Sequence, residues 1–187
     1  MKNATKKPNG WSAVRQQLNT CDKPALLALL KDLYEIGPEN RDFIYARSLT
    51  EKCGGEALEM YRNKIVEQFY PAHGEGKLKL GEARKAIRDY HKATGNTPGT
   101  LELLMTYVEN GIKFVCEYGD MEERFYDSME SALSEFAKLL QVKAHDLYPQ
   151  FRDRLARVEE MSEDIGWGFQ DYVRGIVEQI ETKVGNQ

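Results

Sequence analysis

The segment Thr97–Gly119, TPGTLELLMTYVENGIKFVCEYG, is apolar on nearly every side of a helical wheel. A helix with one wet side shows a single apolar stripe. Here Leu101, Leu103, Leu104, Met105, Tyr107, Val108, Ile112, Phe114, Val115, Cys116 and Tyr118 make almost two. The segment is therefore expected to be a central helix covered by neighbours on both sides. Thr97 or Thr100 is expected to cap its start and Gly119 its end. Asn110-Gly111 is its expected weak point, where a helix kinks or stops early. Glu102, Glu109, Lys113 and Glu117 recur too often for a membrane span.

The rest of the chain repeats the helical interval. Trp11, Val14 and Leu18 form a short stripe. Asp22 is placed to cap a helix carrying Leu26, Leu27, Leu29, Leu30, Leu33 and Tyr34, with Pro24 in its first turn. Gly37-Pro38 is expected to end that helix in a left-handed turn and to start another, through Phe43, Ile44, Arg47 and Leu49. Two helices so closely joined are expected to form an antiparallel hairpin. Cys53-Gly54-Gly55 breaks the chain, and Leu58, Tyr61, Ile65 and Phe69 mark the next face, stopped by Pro71. AHGEG, 72–76, reads as the most loop-like interior segment. Leu80, Ala83, Ile87 and Tyr90 follow in stripe, closed by Gly95. Asp120-Met121-Glu122-Glu123 reads as a capping box that opens a helix on Met121, Phe125, Met129, Leu133, Phe136 and Leu140. Leu147, Phe151, Leu155, Val158 and Ile165 give a further stripe. Gly166-Trp167-Gly168 interrupts it, as a hinge that tucks Trp167 into the core or as an exposed anchor. The last helix runs from Phe169 to Val184. No period-2 run of β-branched residues occurs. The fold class is all-α, with eight or nine helices in consecutive antiparallel hairpins, as a compact bundle or a short solenoid-like array.

A chain of 187 residues fits one domain, placed at 11–187 after a flexible basic tail at 1–10 holding Lys2, Lys6 and Lys7. About 70% of the unfolded surface can be buried at this length, so no metal or disulfide is needed to close a core. Three widely spaced cysteines, Cys21, Cys53 and Cys116, offer neither a zinc spacing nor a disulfide framework, and read as reduced thiols. With no signal-peptide core after Met1 the chain is expected to be cytoplasmic. A net charge of −4 speaks against a wholesale nucleic-acid binder but leaves room for a local patch.

Such a patch lies in KLKLGEARKAIRDYHK, 77–92. Lys77, Lys79, Arg84, Lys85, Arg88 and Lys92 outweigh Glu82 and Asp89, a local excess of four positive charges. Arg84, Arg88, His91 and Lys92 fall opposite the Leu80/Ile87/Tyr90 stripe, as a wet face able to grip phosphates or to pair with another helix. The segment 117–135 carries the opposite sign, an excess of six negative charges. It has neither a calcium-loop frame nor a Glu-x-x-His pair. No GxSxG, P-loop, HExxH or dinucleotide motif occurs, so no catalytic residue, cofactor or metal is assigned. Arg84 and His91, seven apart, resemble the loose Arg-x6-His motif of the HEPN nucleases. That resemblance would make His91 the proton carrier and Arg84 the phosphate clamp; Lys85 departs from the polar residue often seen after the Arg.

The phrases DLYEIGPENRDF (32–43), KIVEQFYP (64–71), KLKLGEARKAIRDYHKATG (77–95), EYGDMEERFYDSMESAL (117–133), LYPQFRDRL (147–155) and GWGFQDYV (166–173) together resemble a family of small bacterial all-helical cytoplasmic proteins of unknown function. The resemblance implies one helical domain and no activity. The leading expectation is a non-catalytic interaction module with a protein partner and no membrane. Its surfaces are the basic face and a second patch of Tyr118, Phe125, Tyr126 and Trp167. Nucleic-acid or phosphate-ligand binding through 77–92 is the alternative, and a ribonuclease using Arg84 and His91 the remote one.

Overall fold

The structure, a computed structural model, describes residues 10–48 and 54–184. The expected tail, apart from Gly10, lies outside them, as do Leu49 and Cys53. Nine α-helices and one short 3-10 turn follow in order, with no strand among the described residues. None of these helices is long and apolar enough to cross a membrane.

The chain divides into two compact units after Tyr45. The first holds α1 (Trp11–Leu18), α2 (Lys23–Ile36) and the start of α3 (Pro38–Ser48). Asp22 caps α2 as expected, accepting from the Ala25 N–H at 2.9 Å, with Pro24 in the first turn. Neither α1 nor α2 buries a residue. The apolar stripe of α2 is therefore open, Ile36 most of all at 73%. Gly37 is extended, at φ −174 and ψ 166, not in the left-handed turn that its position suggested. The expected hairpin of α2 on α3 would bury one face of α2, and none is buried. The guanidinium of Arg41 does lie over the Tyr34 ring at 5.4 Å.

The second unit, from Ala46 on, is a helix bundle. It holds α4 (Gly54–Phe69), α5 (Leu80–Thr94), α6 (Thr97–Tyr118), α7 (Glu123–Lys143), α8 (Tyr148–Met161) and α9 (Phe169–Val184), with the 3-10 turn His145–Leu147 before α8. Consecutive partners pack: α4 with α5, α6 with α7, α8 with α9. α6 is covered by α4, α5, α7 and α8, and thirteen of its residues are buried, Leu104 and Phe114 among them. Its two-sided apolar pattern thus has its physical reason in neighbours on both sides.

Four local expectations give way here. The cap of α6 is Asn96, whose side chain accepts from the Gly99 N–H at 2.8 Å. Its short amide reaches the first turn, while the Thr100 hydroxyl donates back to the Asn96 carbonyl at 2.7 Å. Helix α6 runs unbroken through Asn110-Gly111. Gly111 stands there because a Cβ would run into the sulfur of Met129 on α7. The residue before α7 is Glu122, with no side-chain cap, so the expected capping box does not form. Ile165 lies beyond the end of α8, in the turn before α9.

Two of the four charges of α6, Glu102 and Glu109, are half-buried and paired across the bundle, while Lys113 and Glu117 are exposed. Arg154 of α8 donates through Nε and Nη2 to the two oxygens of Glu109, each at 2.7 Å, and through Nη1 to Glu102 at 2.6 Å. Arg62 of α4 donates to the other oxygen of Glu102 at 3.1 Å. Burial opposes the charge on Arg154, but the hydrogen bonds to Glu109 and Glu102 outweigh it and hold the guanidinium protonated more firmly than usual.

Candidate functional site

The basic helix does not present all of its cations. Arg84 turns inward, its side chain 14% exposed, and donates to Glu135 of α7 at 2.7 Å. Its guanidinium also lies over the buried Tyr107 ring at 5.7 Å. Arg84 is therefore not on the wet face where helical spacing placed it. Lys85 is within 4.0 Å of Asp89, one turn on. Lys77, Lys79, Arg88 and Lys92 are exposed. Arg47 donates to the carbonyls of Lys92 and Ala93, both at 3.1 Å, and so closes the C-terminal turn of α5. His91 is half-buried, its Nδ1 3.0 Å from the Thr100 hydroxyl. That hydroxyl already donates to Asn96, so it accepts from His91, and the proton sits on Nδ1. His91, Thr100, Glu135 and Lys138 line a small cleft of about 220 Å³.

The other end of α6 carries an aromatic surface. Tyr118 is 67% exposed, while Phe125 and Tyr126, expected beside it, are buried. Between them Asp120 acts as a hub. The Tyr126 hydroxyl donates to its Oδ1, the Met121 N–H donates to the same oxygen at 3.0 Å, and the Trp167 indole donates to Oδ2 at 3.1 Å. The Tyr126 bond first, then that of Trp167, hold the carboxyl below its ordinary range. Burial, together with this carboxylate, pushes the Tyr126 phenol up. Trp167 is 57% exposed, so the turn does not tuck it into the core. Its backbone is in the left-handed region at φ 61, a conformation a bulky side chain rarely adopts.

Beside Tyr118 the loop 70–79 crosses over the end of α4 and leaves a cavity of about 520 Å³, lined by Phe69, Tyr70, Glu75, Leu78, Phe114, Tyr118 and Met121, with Pro71, Gly74 and Gly76. The loop returns tightly to the helix. The Leu78 N–H donates to the Gln68 carbonyl at 2.9 Å with Leu78 at φ 47. Gly76 passes where a Cβ would strike the Phe69 carbonyl. The sequence marks this loop only by Pro71 and two glycines, and the aromatic walls come from residues more than forty positions apart. That is why the cavity was not expected. Its legible trace was KIVEQFYP, whose Phe-Tyr pair ends α4 on an apolar note.

Among the described residues no group of three or more His, Cys, Asp or Glu is placed to hold a metal ion. No family model, curated protein or solved structure matches the chain.

Proposed function

We propose that the protein is a non-catalytic interaction module that docks a partner protein on the surface formed by Tyr118, Asp120 and Trp167. The observation that carries this is the state of Trp167: strained at φ 61, mostly open to water, and yet fixed by its indole bond to Asp120. Strain kept at an exposed aromatic residue serves no packing purpose, and it accords with a pre-set recognition group. The acidic run 117–135 around it favours a partner segment with basic residues.

The test compares partner recovery from cell extract by wild-type protein, by Trp167→Ala/Tyr118→Ala, and by Lys79→Ala/Arg88→Ala. Proteins held by the first and third but lost by the second, with the melting curve unchanged, support the reading. Equal recovery by all three sinks it. Nucleic-acid binding stays as a second reading because Lys77, Lys79 and Arg88 are exposed. It predicts salt-sensitive RNA binding that the third variant weakens. The nuclease reading is less supported, since Glu135 occupies Arg84.

A further inference from the structure

We propose that the cavity under the 70–79 loop binds a small organic cation, a quaternary or aryl-substituted ammonium group. This goes beyond protein docking, since the site is concave and of a size that takes a small molecule; it shares Tyr118 with the docking surface but neither Asp120 nor Trp167. The Phe114 ring is one of its walls. The rings of Phe69, Tyr70 and Tyr118 stand 6.3, 6.1 and 4.5 Å from it, centroid to centroid. Aromatic faces are negative in their centres and attract a cation that sheds water easily, as alkylated ammonium does. Glu75 supplies a formal charge at the rim, and no cationic residue is among those lining the cavity. The protein already makes one such arrangement nearby. The Lys113 ammonium lies 4.6 Å over the Tyr70 ring and is paired with Glu117 at 3.6 Å.

The cavity is built rather than incidental. Gly76 and the strained Leu78 hold the loop against the α4 terminus. Burial first, and then the neighbouring Glu117 carboxylate, push the Tyr70 phenol up, so it stays neutral in the wall of the cavity.

Calorimetric titration of the full chain with benzyltrimethylammonium tests the assignment, with benzyl alcohol and benzoate as the neutral and anionic comparators. The expected result is saturable binding of the cation, at least about tenfold tighter than either comparator. Tyr118→Leu, which keeps an apolar side chain but removes the ring, should weaken it by about threefold or more. Glu75→Gln should weaken it too. Trp167→Ala should leave it unchanged, which separates this site from the protein-docking surface. No saturation at millimolar cation, benzoate binding as tightly, or indifference to both Tyr118→Leu and Glu75→Gln would overturn the proposal.

Discussion

Two residues show how single side chains organise the second unit. Arg154 is a planar fork between two carboxylates about two helical turns apart on α6, with 23% of its side chain exposed. Removing it leaves Glu102 and Glu109 half-buried without their main counter-charge. Arg154→Ala is expected to destabilise by about 2–3 kcal/mol in urea denaturation. Arg154→Lys should recover only part of that, because an ammonium cannot bond both oxygens of Glu109 in parallel. Asp120 is the second. Its carboxyl is held below the ordinary range by Tyr126 and Trp167, so the folded state binds a proton there less readily than the unfolded chain does. Its contribution is thus complete above an unfolded value of about 3.9 and lost as pH falls through the lower folded one. In a Trp11→Phe background, Trp167 fluorescence should stay flat down to about pH 4 and change below it. Tyr126→Phe should move that change to higher pH, and Asp120→Asn should abolish it. A midpoint unmoved by Tyr126→Phe would remove Asp120 as the hub.

At the scale of the element, what was legible in the sequence was the interval, and what was not was the reason for individual small or polar residues. Leu104 and Val108 recur at helical spacing, and both are buried in α6. Gly111 carries no such message, because a glycine in a helix reads as a break until the neighbour is known. The neighbour is Met129, itself buried. Gly111→Ala therefore sets a helix-propensity gain of about 1 kcal/mol against the displacement of a thioether that has little room to yield. The expected sign is destabilising, by about 1–2 kcal/mol. Met129→Ala should make the same change less harmful, and a double-mutant cycle with no coupling would show that Gly111 has no packing role. Asp120 misled in the same way: an acid three residues before a Glu reads as a capping box, yet tertiary partners claimed its carboxylate. Arg84 lay on the expected wet face by angle alone, and the approach of α7 with Glu135 covered that one side chain while Arg88 and Lys92 stayed exposed. The aromatic cavity was hidden for a related reason, since a concave wall assembled from α4, the 70–79 loop and α6 has no period in the chain.

Across the whole molecule, burial is distributed unevenly, and stability should follow it. Among the described residues the second unit holds every buried large apolar side chain, and thirteen of the buried positions lie on α6 alone. By contrast α1 and α2 bury nothing, although Leu27, Leu29, Leu30 and Leu33 have the stripe of a packed helix. A helix of 14 residues that buries none of them is marginal in water, because nucleation is costly and each added hydrogen bond gains little. Its amides should open locally, while those in the middle of α6 should exchange only through global unfolding. Hydrogen-exchange mass spectrometry is expected to show peptides from 23–36 deuterated rapidly and those from 101–115 protected to the last time points. The same asymmetry should appear in mutants. Leu29→Ser/Leu33→Ser should leave the main melting transition nearly unmoved, whereas Leu104→Ala should cost about 3–4 kcal/mol, the loss of a fully buried leucine and the cavity it leaves. Protection of 23–36 equal to that of 101–115, or a loss with Leu29→Ser/Leu33→Ser comparable to that of Leu104→Ala, would mean that the α2 stripe is covered in solution. The apolar face of α2 would then belong to the core rather than to the surface.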